Sequence, residues 1–457
     1  MINTEKLVAV KPDERQIAWQ SLGFTAFLHF GVNTFTNREW GTGRENPAVF
    51  APKSLDTDQW CASLASAGIK ACILTAKHHD GFCLWDTAHT RHSVMSSPKP
   101  VDVVASLADS CRRFGLKLGL YLSPWDMREP SYGTGKPYDD FFCAQLAELT
   151  TRYGELYTLW FDGACGEGKN GKKQEYDWER YFALIRKNQP GAVISIMGPD
   201  VRWIGNEAGI TRESEWSVVS ARLKDRLEIA ARSQQADGLP PLSPEDGDLG
   251  DAAALQNEPE LCWYPAEVDV SIRPGWFYHP EENEKLRTVD DLLHIYESSV
   301  GGNAVLLLNI PPDTDGLIHK TDACRLKELG DAIAALYGKN LCGAAAAYDS
   351  GGNDISHVLR DDDSFWRGGE ETAEITVAFS SGQVVRRVVL CEQIRESQRI
   401  ESFEVVAVTG SGRQVVFSGT TVGFKKICRI GPVLANRMEI IVTKSRGYPA
   451  IRFVGMY

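Results

Sequence analysis

Asp162 is the residue of this sequence whose setting is most suggestive of chemistry. It follows a short apolar run, Leu159 to Phe161, and Gly163 comes directly after it. A strand that ends in an acidic residue and then a glycine is how a parallel βα barrel presents a carboxylate at its active face. The same pair also occurs in ordinary turns, so the interpretation depends on what surrounds it. On this basis we predict Asp162 to be a nucleophile.

Three earlier apolar runs also end in polar or aromatic residues. His29 follows the first run, His78 and His79 follow the second, and Tyr121 lies near the end of the third. A single histidine at a strand end is usually structural, but strand ends of one parallel sheet meet at the same rim. We therefore expect these side chains to share a site with Asp162.

The mixture of aromatic and neutral hydrogen-bonding groups suits a sugar, whose ring has an apolar face and a border of hydroxyls. Histidines can bind the hydroxyls, and indole rings can stack on the face. Each tryptophan taken alone could equally pack in the core. The candidates for stacking are Trp40, Trp85, Trp125 and Trp160.

A metal site at His78, His79 and Asp80 is the main alternative, and it would make the protein a metal-dependent barrel hydrolase. Adjacent residues of a strand point in opposite directions, whereas metal barrels use alternating ligands and further carboxylates or histidines at later strands. The sequence favours a site without metal or other cofactor.

Glu207 is the predicted partner carboxyl, because hydrolysis with retention needs a nucleophile and a separate general acid. It lies in a glycine-flanked segment shortly after Arg202 and Trp203. Glu213 and Glu215 are close competitors, and surface ion pairing is the alternative for all three.

The elements that must position these residues follow an α/β pattern. Short β-rich apolar runs alternate with helical periodicity from residue 24 to about 310, which predicts a (β/α)8 TIM-like barrel. The predicted helices are 56–67, 101–114, 138–153, 178–188 and, after the last strand, 323–337. The eight predicted strands are 24–30, 70–76, 116–122, 156–161, 193–197, 215–219, 267–272 and 304–310.

The remainder of the chain is predicted to be different in kind. Residues 233–258 are rich in Gly, Pro and Asp and predict a long loop. From about residue 340 onward short alternating runs between turns predict a C-terminal β-sandwich of the jelly-roll type. We expect a catalytic barrel at 1–338 and a β-sandwich domain at 339–457.

Composition limits the partners. The 457 residues carry a net charge of -12, which argues against nucleic acid and anionic membranes and favours a neutral small substrate. The eleven cysteines lack metal-site spacing and indicate reduced, structural thiols. The start of the chain lacks signal-peptide character, which predicts a cytoplasmic protein, although a trimmed export signal would leave the same sequence.

These motifs together resemble the α-L-fucosidases of glycoside hydrolase family 29. The resemblance covers about residues 24–337, and its most specific motif is Lys-His-His-Asp-Gly-Phe at 77–82. The forms Trp-Phe-Asp-Gly-Ala at 160–164, Arg-Trp at 202–203 and Gly-Asn-Glu at 205–207 resemble the subfamily selective for branched α-1,3 and α-1,4 fucosides.

The resemblance implies a retaining exo-hydrolase that releases terminal L-fucose from fucosylated glycans such as Lewis-type structures. It implies a covalent intermediate on Asp162, with Glu207 as acid/base. A non-catalytic carbohydrate-binding protein with a degraded barrel is the second alternative. Segment 263–279, with Glu267, Asp269, Arg273 and Trp276, falls where the subfamily contacts the leaving group, although Arg273 and Trp276 could equally pack the barrel rim. The predicted substrate-binding residues are His29, Trp40, His78, His79, Tyr121, Trp160, Arg202 and Trp276.

Overall fold

The first and larger part of the chain folds as a parallel β-barrel surrounded by helices. The computed structural model describes residues 4–233 and 247–457. Eight strands form the barrel sheet: β1 Phe24–Leu28, β2 Ala71–Lys77, β3 Lys117–Leu122, β4 Leu156–Phe161, β5 Val193–Ile196, β6 Arg202–Trp203, β9 Ala266–Ser271 and β10 Ala304–Asn309. Two further strands, β7 Val218–Ser220 and β8 Leu261–Trp263, pair with each other outside the barrel.

The sheet closes almost completely. Its order is β5-β4-β3-β2-β1-β10-β9-β6, and every pair in it is parallel. Between β5 and β6 the two ends meet only through a bridge from Ser195 to Val201. The predicted (β/α)8 barrel is confirmed.

The predicted sixth strand is wrong. Residues 215–219 were expected in the barrel, but 218–220 pair antiparallel with 261–263 outside it. The barrel position belongs instead to β6, which has only two residues and pairs with Ala266 and Glu267. A strand this short carries no apolar run for the sequence to show.

Capping residues define the ends of several helices in the outer layer. Asp56, Asp102 and Asp177 each accept a hydrogen bond from a first-turn backbone N–H and so cap a helix of the outer layer. Gly115 ends one of these helices in the left-handed conformation, at φ 70°. The helices are α1 Thr4–Val8, α2 Glu14–Gln20, α3 Val32–Thr36, α4 Thr57–Ser66, α5 Val103–Phe114, α6 Lys136–Arg152, α7 Trp178–Asn188, α8 Arg226–Ser233, α9 Ala252–Leu255, α10 Val289–Ser299 and α11 Lys320–Tyr337.

Strand alternation determines which residues reach the active end of the barrel. A cluster inside the barrel contains Phe27 on β1 and Trp160 on β4, together with Tyr121. Because side chains on one face of a strand recur every second residue, His29 and Asp162 continue the same inward-facing rows beyond the strand ends. The interior cluster therefore lies directly beneath His29 and Asp162.

The C-terminal part is an antiparallel β structure, as predicted. Its sheet runs β12-β17-β13-β16-β14-β15, with β11 on β13. Two of its strands are long and shift register along their length, which lets the sheet fold around one apolar core. The strands are β11 Ala346–Asp349, β12 Trp366–Arg367, β13 Ala373–Glu392, β14 Ile400–Thr409, β15 Gly412–Gly419, β16 Lys426–Ser445 and β17 Ala450–Met456.

The predicted loop 233–258 is described only in part, because 234–246 lie outside the described residues. Its later part contains the short helix α9. Among the residues that the structure describes, no helix has the length and apolar character needed to cross a membrane.

Candidate active site

A cavity opens at the carboxyl end of the barrel strands, where the sequence predicts the site. Its volume is about 130 Å³. Its walls combine aromatic rings with carboxyl and imidazole groups, a lining that suits a sugar. The lining residues are Phe27, His29, Glu39, Trp40, His78, His79, Trp160, Asp162, Gly163, Ala164, Ile196, Trp203, Glu207, Ser233, Asp269, Trp276 and Phe277.

Both oxygens of Asp162 are held in place. The Tyr121 hydroxyl donates to Oδ2 at 3.0 Å, and the backbone N–H of Ala164 donates to Oδ1 at 2.8 Å. Nε2 of His79 lies 3.7 Å from Oδ2. The carboxylate is partly exposed to the cavity and has a fixed orientation, as an attacking nucleophile requires.

His29 and His79 are neutral groups that present a free nitrogen to the cavity. Burial lowers the pKa of both rings, and that of His29 to about 4. Asn309 Oδ1 can only accept from His29 Nδ1, at 2.8 Å. The Ser123 hydroxyl donates to the Trp125 carbonyl and so accepts from His79 Nδ1 at 2.7 Å. In each ring Nε2 is left as an acceptor for a sugar hydroxyl.

His78 and His79 both face the cavity, so the expectation that they point in opposite directions is wrong. Strand β2 ends at Lys77, and the two histidines lie in the turn that follows, where Gly81 has φ 77°. Their ring centroids are 4.2 Å apart. The turn frees them from strand alternation, and His78 stacks against the Tyr121 ring.

Glu207 reaches the cavity from an irregular loop after β6. The Trp276 indole N–H donates to its Oε2 at 3.2 Å. The residue is exposed overall, yet the protein atoms around the carboxyl group raise its pKa, and the charge of Asp162 adds to this effect. A carboxyl group with a raised pKa can hold a proton for a leaving group, as a general acid must.

Two further carboxyls line the cavity: Glu39, which was not predicted, and Asp269, which lies in segment 263–279, predicted to contact the leaving group. Glu39 accepts from the backbone N–H groups of Trp276 and Phe277 at 2.8 and 3.1 Å, and it contacts the His279 ring. Asp269 accepts from the Trp203 indole at 2.7 Å, and burial raises its pKa well above the usual range. Glu39 directly precedes Trp40 after β1, but these contacts come from residues remote in sequence, so no local motif marks it.

Arg202 was expected to bind substrate, but it does not line the cavity. It is buried and forms an ion pair with Glu215, which Arg212 also contacts at 3.3 Å. Glu215 is thereby committed to a buried network, and Glu213 is likewise absent from the cavity wall. Of the three candidate acids, the structure brings only Glu207 to Asp162.

Several other candidates prove to be structural. The Trp85 ring is fully buried and donates to Glu148 at 2.8 Å, away from the cavity. Trp125 lies behind Trp40 and His79 and supports both rings. Arg273 forms a buried bidentate ion pair with Asp322 on α11, so it packs the barrel rim.

The metal alternative receives no support from the positions of its proposed ligands. Asp80 turns back to accept from the backbone N–H of Phe82 at 2.7 Å, and burial raises its pKa to about 7. Within residues 4–233 and 247–457, no three His, Cys, Asp or Glu side chains are grouped so that they could hold a metal ion.

Comparison with known proteins identifies the family. The family model for α-L-fucosidase matches residues 11–337. The chain is 40% identical to α-L-fucosidase 1 of Arabidopsis thaliana over 98% of this chain and 87% of that protein. The chain therefore belongs to the α-L-fucosidases, and it is an enzyme of that class.

Solved structures agree over both parts of the chain. A Bacteroides ovatus protein provisionally assigned as an α-L-fucosidase superimposes with a TM-score of 0.88 at 44% identity, covering 99% of this chain and 75% of that one. A glycoside hydrolase family 29 fucosidase of Ruminococcus gnavus, solved in complex with fucose, superimposes with a TM-score of 0.83 at 31% identity. The match covers 98% of this chain and 95% of that one. The fold, including the β-sandwich, is that of family 29.

Proposed function

We propose that this α-L-fucosidase is a retaining exo-enzyme in which Asp162 is the nucleophile and Glu207 is the acid/base. In the first step Asp162 attacks the anomeric carbon of a terminal fucose while Glu207 protonates the departing oxygen. In the second step Glu207 takes a proton from a water molecule, whose oxygen attacks the anomeric carbon, and the bond from that carbon to Asp162 breaks to release fucose. We further propose residues 1–338 as the catalytic unit and 339–457 as an accompanying domain.

The observation that carries this proposal is the contrast between two carboxyl groups lining one cavity. Asp162 accepts two hydrogen bonds that fix the orientation of its carboxylate, whereas the protein atoms around Glu207 raise the pKa of that carboxyl group. Two carboxyls whose environments differ in this way are suited to the roles of nucleophile and acid.

The cavity also suits fucose in particular. Neutral His29 and His79 offer acceptors to hydroxyls, and the rings of Phe27 and Trp160 offer an apolar wall to the methyl group. We propose branched α-1,3 and α-1,4 fucosides, including Lewis-type glycans, as substrates. The motif forms at 160–164 and 202–207 support this choice.

Two measurements test the proposal. Proton NMR of the first product formed should show α-fucose before it mutarotates, whereas β-fucose would contradict retention. A panel of α-1,2, α-1,3, α-1,4 and aryl fucosides tests specificity. We expect fast release from branched α-1,3 and α-1,4 substrates, and equal rates on all four would contradict the proposed selectivity.

A further inference from the structure

The loop that carries Glu207 is held at its base by the C-terminal β domain. This loop comprises residues 204–217, between β6 and β7. We infer that Gln398 and Thr420 of the C-terminal domain are positioning residues for the acid/base, so that the domain takes part in catalysis. The inference rests on the proposed role of Glu207.

The tip of the loop is organised by its own contacts. Oδ1 of Asn206 accepts from the backbone N–H groups of Ala208 and Ile210, and its Nδ2 donates to the Ile210 carbonyl. Glu207 lies inside this turn. Its carboxyl position therefore depends on how the turn as a whole is placed above the cavity.

The base of the loop is closed by a buried ionic group. Arg202 and Arg212 both contact the Glu215 carboxylate, and Arg212 Nη1 also donates to the Ile204 carbonyl at 3.2 Å. These contacts join the two ends of the loop. A shift of Glu215 would therefore move both ends of the segment that carries Glu207.

Gln398 fixes the position of Glu215 from the other domain. The Gln398 side chain is fully buried, donates to the Glu215 carbonyl at 3.0 Å and accepts from the Ser217 backbone N–H at 2.8 Å. Asn303 of the barrel donates to the same carbonyl and to Gln398 Oε1. One amide side chain thus satisfies two backbone groups of the loop.

A second contact from the same domain is independent of Gln398. The Thr420 hydroxyl donates to the Glu213 carbonyl at 2.9 Å. By contrast, β6 gives the start of the loop only two residues of sheet pairing. The hydrogen bonds from Gln398 and Thr420 therefore add to the few that the barrel supplies to the loop, such as those of Asn303 and Thr211.

The test compares two fucosides that differ in their need for an acid. A fucosylated trisaccharide needs protonation of its leaving oxygen, whereas the fluoride of α-L-fucosyl fluoride leaves with little help. We expect Gln398→Ala to lower kcat/KM for the trisaccharide about tenfold more than for the fluoride, with a smaller effect in the same direction for Thr420→Val. A loss of folded protein alone would lower both rates equally.

A matched control separates positioning from stability. Val454 is fully buried in the apolar core of the C-terminal domain, and its aliphatic side chain has no hydrogen-bonding group. Val454→Ala should lower the melting temperature and leave the ratio of the two rates unchanged. An unchanged ratio in both Gln398→Ala and Thr420→Val, with a changed ratio in Glu207→Ala, would overturn the inference and leave the proposed function intact. An unchanged ratio in Glu207→Ala would remove the acid role itself, and the inference with it.

Discussion

The Trp276 indole N–H donates a hydrogen bond to Oε2 of Glu207 at 3.2 Å. The protein atoms around the Glu207 carboxyl group remove water from it and raise its pKa, whereas this hydrogen bond favours the charged form and lowers the pKa. The proton on Glu207 is therefore controlled by two opposing effects, and one of them can be removed by a single substitution.

Trp276→Phe keeps an aromatic ring at the cavity wall and removes this donor. The pKa of Glu207 should rise, so the acid form should persist to higher pH. Since activity is lost as pH rises through the pKa of the acid, the alkaline limb of the profile of kcat/KM against pH should shift to higher pH. A limb that stays in place would show that the indole does not influence the acid.

Replacing the acid itself should affect substrates unequally. Glu207→Gln should lower kcat for a fucosylated trisaccharide by about 10²- to 10⁴-fold, the usual contribution of a general acid. The alkaline limb should also disappear from the pH profile. Similar losses with Glu213→Gln, whose side chain does not line the cavity, would contradict the assignment.

The nucleophile can be identified by the anomer that azide produces. Asp162→Ala should lose roughly 10³-fold or more of its turnover, as expected when a nucleophile is removed from a group of residues that act together. Azide should restore turnover and give β-fucosyl azide by direct displacement. Glu207→Ala with azide should instead give the α anomer, because azide then attacks the enzyme-bound sugar. The α anomer from Asp162→Ala would exclude that residue as nucleophile.

Trp40 offers a test of sugar binding with little effect on stability. The residue is 55% exposed at the cavity rim, and its ring meets the His79 ring edge-on at a centroid distance of 5.4 Å. Trp40→Ala should lower kcat/KM about tenfold, or about 1.4 kcal/mol, at the upper end of what one aromatic contact contributes. The free energy of unfolding should change by about 0.5 kcal/mol or less.

The matched substitution is Trp85→Ala, since the Trp85 ring is fully buried outside the cavity. It should cost about 3 to 5 kcal/mol of stability and leave kcat/KM of the folded enzyme nearly unchanged. If the two variants had the same profile, Trp40 would have no specific role in binding.

Replacing Arg202 tests whether this residue supports the fold or binds substrate. Arg202→Ala removes one partner of buried Glu215 and should lower the free energy of unfolding by about 3 kcal/mol, measured by urea denaturation. Inhibition by free fucose should change less than about twofold, because the arginine does not line the cavity. Loss of fucose binding at full stability would instead support the substrate contact expected from the sequence.

The sequence predicts the parts of the site that follow long apolar strands. Asp162 and His29 follow strands of six and five residues, whose apolar runs are visible and whose ends meet at one rim. The sixth strand has two residues and shows no such run, so its place was assigned to 215–219. Within the C-terminal domain the sequence predicts only short alternating runs, whereas β13 and β16 are continuous strands of 20 residues each, whose apolar pattern is interrupted by polar residues.

Other features depend on contacts that no local pattern encodes. Arg202 lies beside the motif of Glu207 and looks like part of the site, but its partner Glu215 determines its role. Glu39 is held by the backbone of Trp276 and Phe277, far along the chain. Such pairings arise only when the barrel is assembled, so the sequence alone does not predict them.

The nearly closed seam between β5 and β6 bears on how this enzyme can be redesigned. Strand β4, which leads to Asp162, is paired with a neighbouring strand on both sides. Strand β6, which leads to Glu207, pairs with β9 on one side, and on the other side only the bridge between Ser195 and Val201 links its end of the sheet to β5. Exchanging only the tip of the loop at 205–211 between relatives, with Glu207 kept, would disturb few sheet hydrogen bonds and spare the buried pair of Arg202 and Glu215. The preference of the enzyme for its leaving group could then be changed without changing the residues that bind the released fucose.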